Sequence, residues 1–497
     1  MKVSVRCKKP VKHFRNMGRN KILAKNISFV LIGNVGSKLM GFIMLPLYTS
    51  WLSPADYGVT DIMGVYAGLL LNVVACDVSD AIFVFPSGAT EVEIKKYYSS
   101  GFFFQIFCSL LCAFAFFLLT FIGAKNSFFE YIWYVYGILI SNLFQKYAQD
   151  FCRGINKMSV FSFTGIVQSA SIALFSILLI PRTGVYGFAT AMIIANTITG
   201  IFTFFYSRSY RFLSVFMFDW TCLKRMLKYS IPLIPTAIMW WLVSSLNRPL
   251  LERHVGMFAI GLFAVANKLP NVLNMVFGLF QQAWNITAIE EFAKKDFSLY
   301  YNKMFRVVFG MQTFLCMVLV LFSKLFVMLF TSAEYMEAWK YVPLLCLSVL
   351  FSNTSAFVGS VFTAIRKSNY IFISTIFGGV GAIVFNYLLI PQYGLLGACV
   401  AIILSHLLSM VSRIFFSAGF VEFKAKAVIV YNILIIMLLY FVSLMEKGWI
   451  LGFTFAIGLV VFVSVNHDTY SILILKLKNT VGRHINKLVG GIKLAHI

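Results

Sequence analysis

Long uninterrupted stretches of apolar residues restrict the fold of this chain more than any other feature. A helix needs about 20 mostly apolar residues to cross the hydrocarbon core of a bilayer. About fourteen stretches reach that length, and the chain is therefore predicted to be an all-α integral membrane protein. Their approximate limits are 26–50, 58–82, 99–123, 128–146, 158–180, 184–206, 229–250, 256–284, 303–330, 338–363, 369–390, 394–417, 427–445 and 449–466.

The composition agrees with a membrane protein and argues against nucleic-acid binding. Hydrophobic residues make up 60% of the chain and charged residues only 12%, whereas a soluble domain carries about 25% charged residues. The net charge is +24, but the basic residues are spread over short segments between the apolar runs. The densest cluster, at 2–21, precedes the first run, where it acts as a topology signal or an anchor to anionic lipid. No cleavable signal peptide is expected.

The distribution of Lys and Arg predicts the orientation. If both termini are cytoplasmic, seven of the 42 Lys and Arg residues lie on the outward side, two lie within spans, and the other 33 lie on the cytoplasmic side. This bias fits the positive-inside rule and an even number of spans. The seven outward residues are Lys125, Arg182, Arg248, Arg253, Lys324, Lys340 and Lys447.

An internal repeat predicts two similar lobes. LLIPRTGVYG at 178–187 matches LLIPQYGLLG at 388–397, and each segment connects two predicted spans. A weaker match relates PLYTSWLSPADYG at 46–58 to PLLERHVGMFAIG at 249–261. Because the repeat unit contains six spans, both copies have the same orientation, which predicts a parallel repeat about a pseudo-twofold axis along the membrane normal. Such lobes around a central cleft are typical of alternating-access transporters.

The repeat also predicts the division of the chain. Two six-helix lobes are expected, with two additional helices after them. The predicted parts are a basic cytoplasmic segment (1–25), an N-terminal lobe (26–206), a cytoplasmic linker (207–228), a C-terminal lobe (229–417), a terminal helix pair (418–470) and a basic cytoplasmic tail (471–497).

Several segments together resemble one known family. The segments at 44–63, 231–251, 261–269, 341–369 and 386–406 resemble parts of bacterial polysaccharide flippases (Wzx-type), in the same order and at similar spacing. These proteins belong to the multidrug/oligosaccharidyl-lipid/polysaccharide exporter superfamily. One departure is visible, because an Arg that often follows the second helix of the family is absent from the run Asp80–Phe85.

The resemblance implies a function. Such proteins move undecaprenyl-pyrophosphate-linked oligosaccharides from the inner to the outer leaflet of the bacterial cytoplasmic membrane, for O-antigen, lipopolysaccharide or capsule synthesis. A polysaccharide polymerase of the same pathway is an expected partner, and no cofactor is expected apart from a proton or sodium gradient. A peptidoglycan-precursor flippase and a multidrug exporter remain alternatives, and a membrane glycan polymerase or acyltransferase is a more distant one.

Two lysines inside predicted spans are candidates for substrate binding. A charge at the centre of a bilayer is costly, so such residues usually face a cavity. Lys38 precedes Pro46, and Lys268 follows Gly261, by similar numbers of residues. This places both lysines about 10–15 Å below the outer surface, in opposite lobes. Two ammonium groups at that depth suit a pyrophosphate; alternatively, each could extend to the interface or pair with a carboxylate.

Three further residues, near the outer ends of predicted spans, are candidates. Asn247 and Arg248 resemble a polar pair frequent at this place in the family, although Arg248 could also be an interface anchor. Asp61 is a candidate for coupling to a proton or sodium ion, or a simple counter-ion of Lys38. No catalytic or metal-binding residue is predicted, because the Cys residues are scattered and the one His inside a span, His406, has no acid or base nearby.

Overall fold

The computed structural model describes residues 40–121, 126–292, 294–367, 369–424 and 426–465, and all regular elements in these ranges are helices. The predicted all-α class is confirmed. The α-helices up to the middle of the chain are α1 (Leu45–Trp51), α2 (Pro54–Val74), α3 (Val78–Val84), α4 (Glu91–Thr120), α5 (Ser127–Glu130), α6 (Ile132–Gly154), α7 (Met158–Tyr206) and α8 (Trp220–Ser230). The following ones are α9 (Ile234–Ser245), α10 (Asn247–His254), α11 (Met257–Ala266), α12 (Lys268–Glu291), α13 (Phe297–Phe330), α14 (Val342–Ala364), α15 (Asn369–Ser417), α16 (Lys426–Leu444) and α17 (Gly448–Val465).

The helices are long and apolar enough for a protein that crosses a membrane many times. In the described part of the chain, eight helices meet the length and hydropathy of a span, or nine if α11 and α12 form one bent span. Each predicted span from the second to the fourteenth overlaps at least one of the helices α2–α17, although α6 and α17 do not meet these criteria. The first, at 26–50, lies mostly outside the described residues, so the number fourteen stays a prediction.

The two longest helices are each broken by a glycine, and each forms a hairpin. At 49 residues, α7 and α15 would be about 74 Å long if straight, against a hydrocarbon core of about 30 Å. Gly184 and Gly394 interrupt them with φ of 56° and 55°, a left-handed conformation that glycine adopts without strain.

Contacts across the two breaks show that each helix folds back on itself. In α7 the amide of Gln168 donates to Asn196 at 3.1 Å, although the two residues lie on opposite sides of Gly184. In α15 the Ser412 hydroxyl donates to the Ser374 carbonyl at 3.5 Å across Gly394. The breaks fall within the two matching segments at 178–187 and 388–397, so the predicted turns are confirmed.

The N-terminal half (residues 40–206) and the C-terminal half (234–417) meet where α2 crosses α11. A Cβ atom on Gly58 would lie 2.1 Å from the Met257 carbonyl oxygen, and one on Gly261 would lie 1.8 Å from the Pro54 carbonyl oxygen. Both glycine–carbonyl pairs therefore touch backbone to backbone. Gly58 and Gly261 are 203 residues apart, as are Pro54 and Met257, so one contact occurs twice, as a pseudo-twofold axis requires. We call this contact the glycine crossing.

Capping of α2 fixes the start of one helix at the crossing. Ser53 accepts a hydrogen bond from the Asp56 backbone N–H at 3.2 Å, and its hydroxyl donates to the Asp56 carboxylate at 2.7 Å. Pro54 occupies the first turn, where a missing N–H costs nothing. The helix thus begins at a defined residue, four positions before Gly58. This end of α2 follows the turn at 46–58, and we call it the predicted outer end.

The segment between the halves packs on the N-terminal half. In α8, Cys222 and Met226 are buried against that half. The Asp219 carboxylate, which caps α8, accepts a hydrogen bond from Lys96 at 2.8 Å. This bond and one from the Cys222 backbone lower the pKa of Asp219 to about 2. The predicted domain limits, including the linker at 207–228, stay a prediction, and the tails at 1–25 and 471–497 lie outside the described residues.

The glycine crossing generates a prediction about stability. Gly261→Ala should lower the free energy of unfolding by about 1–3 kcal/mol, because the added Cβ meets a backbone carbonyl that no rotamer change can move away. Thermal unfolding of the purified protein in detergent measures this. Gly278→Ala is the matched control, because nothing lies within 4 Å of a Cβ at that position. Equal unfolding temperatures for the two variants would contradict the prediction.

Candidate functional site

A cavity of about 510 Å³ lies between the two halves of the molecule. Four helices form its wall, namely α2 and the second part of α7 from the N-terminal half, and α9 and α12 from the C-terminal half. Its size is that of a small-molecule pocket. The lining residues are Tyr57, Thr60, Asp61, Gly64, Val65, Gly68, Asn72, Phe188, Met192, Ala237, Trp240, Trp241, Ser244, Ser245 and Lys268. We call it the central cavity.

One face of α2 supplies the longest wall of the central cavity. The residues Asp61, Gly64, Gly68 and Asn72 follow one another at intervals of three or four, which places them on one side of a helix. Nothing lies within 4 Å of a Cβ added to Gly64 or Gly68. From Asp61 to Asn72 this wall is about 16 Å long, and the two glycines leave its middle open to a ligand.

Lys268 is the candidate that the structure places inside the central cavity. Its side chain is partly buried, and its ammonium lies 5.8 Å from the centre of the Tyr57 ring. Tyr57, Asp61 and Tyr48 interact electrostatically with it. No described carboxylate lies within 4.0 Å of the ammonium, so Lys268 has no ion-pair partner in this part of the chain.

A bend in the helix presents Lys268 to the central cavity. The axes of α11 and α12 differ by 40° across Asn267, whose side-chain amide donates to the Phe263 carbonyl at 2.9 Å. Pro270 has no N–H with which to reach the carbonyl of Ala266, so the helical hydrogen-bond ladder is interrupted there. The span is therefore kinked close to Pro270.

Asp61 pairs with Arg248 across the two halves. The Arg248 Nε donates to the Asp61 carboxylate at 3.2 Å, and both side chains are partly buried. Arg248 also lies 4.6 Å from the centre of the Phe263 ring. One of the two roles expected for Asp61 from the sequence was that of a counter-ion to Lys38, but Lys38 lies outside the described residues. In the described part of the chain, Arg248 is the partner.

Asn247 contacts the Arg248 side of this ion pair and does not line the central cavity. It is 2% exposed, and its side-chain oxygen accepts a hydrogen bond from Arg248 at 3.1 Å. The structure thus places Lys268 and Asp61 at the cavity, Arg248 beside it and Asn247 beneath Arg248. Asp61 forms its ion pair with Arg248, and Lys268 forms none with a described carboxylate.

Further contacts join the halves at the predicted outer end. Glu252 in α10 accepts hydrogen bonds from the Tyr66 hydroxyl at 3.0 Å, from the Ser127 backbone N–H at 2.7 Å, and from the Ser127 hydroxyl. The Trp241 indole N–H donates to the Val65 carbonyl at 3.1 Å. With the Asp61–Arg248 pair and the glycine crossing, these contacts hold the two halves together at that end. The sequence offered no signal for Glu252 beyond its place in a charged turn.

A second cavity is almost entirely apolar. It measures about 420 Å³ and lies between α12, α13 and α17. Its only side chain with a hydrogen-bonding amide is Gln312. The lining residues are Leu273, Val276, Phe277, Phe280, Val308, Met311, Gln312, Phe314, Leu315, Leu459, Phe462 and Val463. We call it the apolar groove.

Comparisons with known proteins agree with this architecture. The family model described as "Polysaccharide biosynthesis protein" matches residues 23–285. An uncharacterized membrane protein of Methanocaldococcus jannaschii is 20% identical over 413 residues, which cover 77% of this chain and 95% of that protein. The capsular polysaccharide biosynthesis protein CapF of Staphylococcus aureus is 24% identical over 200 residues, which cover 39% of this chain and 50% of that protein.

Two solved structures have the same fold. The lipid II flippase MurJ, in an inward closed conformation, matches with a TM-score of 0.70 and 15% identity, over 90% of this chain and 98% of that chain. An inward-facing multidrug resistance transporter of the MATE family matches with a TM-score of 0.59 and 15% identity, over 78% of this chain and 93% of that chain. The predicted two-lobed transporter fold is thereby confirmed.

The Asp61–Arg248 pair generates a prediction. A double-mutant cycle with Asp61→Ala and Arg248→Ala should give a coupling energy above about 1 kcal/mol, because both groups are partly buried. Unfolding free energy in detergent measures it. The exposed pair Lys324–Glu446 is the control cycle and should give about 0–1 kcal/mol. A coupling for Asp61–Arg248 no larger than the control would show that this pair does not hold the halves together.

Proposed function

Because the chain belongs to the polysaccharide biosynthesis protein family, within the multidrug/oligosaccharidyl-lipid/polysaccharide exporter superfamily, we propose that it is a flippase for undecaprenyl-pyrophosphate-linked oligosaccharides. It moves repeat units from the inner to the outer leaflet of the bacterial cytoplasmic membrane, with both of its termini in the cytoplasm. The product serves O-antigen, lipopolysaccharide or capsule synthesis. The observation that carries the proposal is the central cavity between the halves, with a lysine that no described carboxylate neutralises.

The charge in the central cavity favours an anionic headgroup. A pyrophosphate bound near Lys268 supplies the counter-charge that the described residues lack, and its attraction to an ammonium is stronger in a cavity than in bulk water. Lys38, in the opposite lobe, is proposed as the second cation. Arg248, oriented by Asn247, is proposed to join them once its bond to Asp61 opens.

The apolar groove suits the lipid part of the substrate. Its wall is made of aliphatic and aromatic side chains, which stabilise a hydrocarbon chain through the area they remove from water or lipid headgroups. It borders α12, whose first residue is Lys268 and whose groove residues begin five positions later, at Leu273. One helix can therefore bind a headgroup and a chain segment of the same molecule.

The contacts at the predicted outer end suit alternating access. Release of the substrate outward requires the halves to separate at the glycine crossing, at Glu252 and at the Asp61–Arg248 pair. We propose Asp61 as the coupling residue, because a proton or sodium ion on its carboxylate competes with Arg248 and weakens one of these links. A polysaccharide polymerase is the proposed partner that receives the substrate.

Transport of a peptidoglycan precursor is the second candidate, and the TM-score of 0.70 to the lipid II flippase favours it. Its anionic lipid cargo fits the same cavity. A multidrug exporter for cations is disfavoured, because Asp61 is paired with Arg248 and Lys268 is not paired with a described carboxylate. A polymerase or acyltransferase is disfavoured, because His406 is buried at 8% exposure. The charged group that acts on it is another base, Arg413, and not a carboxylate.

Deletion of the gene tests the proposed substrate. Cells without the protein should accumulate complete lipid-linked repeat units on the inner leaflet, because synthesis continues while export stops. Mass spectrometry of extracted lipids and labelling of the accessible leaflet measure this. Normal surface polysaccharide, or accumulation of incomplete units alone, would contradict the proposal.

Substitution of the lysines tests the proposed site. Lys268→Ala should reduce translocation in reconstituted liposomes about tenfold to a hundredfold, the loss expected for a hydrogen bond to a charged group, and Lys268→Arg should retain part of it. Lys38→Ala should also reduce translocation. The control is Lys340→Ala, which removes an exposed lysine paired with Glu337 and should be neutral. Full activity of Lys268→Ala would exclude that lysine from the site.

A further inference from the structure

Arg413 brings a positive charge into the interior of the C-terminal half. The sequence assigned it to the cytoplasmic side, but the structure leaves it only 2% exposed. Its guanidinium donates to the Ser355 carbonyl at 3.0 Å, the Ser374 hydroxyl at 3.0 Å and the Thr375 hydroxyl at 3.2 Å. No described carboxylate lies within 4.0 Å. A buried charge without a counter-ion is costly, and its retention calls for a reason.

The surroundings hold the guanidinium in one position. Its hydrogen-bond acceptors lie on α14 and on the first part of α15, while Arg413 itself lies on the second part of α15. A Cβ on Gly359 would lie 3.1 Å from the Arg413 Nη1, so the glycine leaves room for the planar group. Three bonds to two other helical segments prevent the guanidinium from turning away.

Trp240 lies between this guanidinium and the central cavity. The guanidinium carbon of Arg413 is 5.8 Å from the centre of the Trp240 ring, within the range of a cation–π contact. Trp240 is 36% exposed and lines the central cavity. Arg413 therefore contacts no cavity ligand directly, but it contacts the aromatic ring that can.

Hydroxyl and amide groups line the same cavity as Trp240. Ser244 and Ser245 follow it on α9, and their hydroxyls are 3.0 Å apart. Asn72 lies on the facing helix α2, and its side-chain amide makes no hydrogen bond to any described residue. An aromatic surface flanked by such groups offers both a stacking face and hydrogen-bond partners to a ring that carries several hydroxyls.

We propose that Trp240, with Asn72 and Ser244, forms a sugar-binding subsite in the central cavity, and that Arg413 is the positioning residue that holds Trp240 in place. The C–H groups of a pyranose ring stack on the indole, and its hydroxyls bond to Asn72 and Ser244. The inference rests on the proposed function, and it adds which part of the central cavity binds the glycan. Lys268 and Tyr57 remain for the pyrophosphate.

The charge behind Trp240 also selects the ligand. An aromatic ring that already faces one cation attracts a second cation weakly, because both compete for the same electron density and repel each other. A neutral sugar ring meets no such penalty. The subsite therefore discriminates against cationic drugs while it accepts glycans.

Binding of two probes to the purified protein in nanodiscs tests this subsite. The probes are the lipid-linked glycan extracted from cells that lack the protein, and undecaprenyl pyrophosphate without sugar. Wild-type protein should bind the first more tightly. Trp240→Leu should reduce that preference about threefold to tenfold, in the range of an aromatic contact, while binding of the bare lipid is kept. Trp240→Phe, which keeps a flat ring, should retain most of the preference.

Matched variants separate the subsite from general damage. Trp133→Leu removes an exposed tryptophan outside the central cavity, and it should keep the wild-type preference. Arg413→Lys keeps the charge but loses the planar set of donors, so it should reduce the preference for the glycan without weakening the bare lipid. An Arg413→Lys protein with the wild-type preference would overturn the positioning role.

The outcomes distinguish the two proposals. If wild-type protein prefers the glycan and Trp240→Leu keeps that preference, the sugar subsite is wrong while the proposed function stands. If wild-type protein binds both probes equally, the sugar subsite is also wrong; if it binds neither, the proposed function itself fails. Loss of preference in Trp240→Leu and Arg413→Lys, with Trp133→Leu unchanged, supports the subsite.

Discussion

The backbone contact between α2 and α11 determines where everything else in the molecule lies. Two helices can approach this closely only where side chains are absent, and a glycine on each helix meets a carbonyl of the other. The approach brings Asp61 within reach of Arg248 and places Lys268 beside Tyr57. The central cavity begins below this contact, so its depth is set by the backbone and not by the side chains that line it.

The partners of the buried charged groups follow from the free-energy cost of placing a charge in an apolar medium. Asp61 and Arg248 neutralise each other across the two halves, and Arg413 is stabilised by three hydrogen bonds and an indole ring. Lys268 lies beside the Tyr57 ring but makes no ion pair with a described residue. A bound anion therefore stabilises Lys268 more than it stabilises Asp61, Arg248 or Arg413.

The sequence predicted the helices and the hairpin turns, because lipid forces the backbone to bond within each helix, so that the length of an apolar run indicates a span. It could not predict which side chains meet. Whether Asp61 reaches Arg248 or Lys38 depends on the rotation of α2 about its axis, and the burial of Asn247 depends on the same rotation of α10. The contact of Arg413 with Trp240 joins positions 173 residues apart in the sequence, and nothing in the spacing of either residue indicates it.

The doubled glycine contact is of the kind that a symmetric homodimer makes, in which residue i of one subunit meets residue j of the other and the reverse. In a real homodimer each charge would occur twice, once on each side of the axis. Here the position equivalent to Lys268 is Val65 and the position equivalent to Asp61 is Ala264, at the same separation of 203 residues as Gly58 and Gly261. Because the two halves are joined in one chain, these charged residues line the cavity on one side of the axis only. An asymmetric molecule, such as a headgroup with a single glycan, then has only one orientation in which its charge meets the lysine.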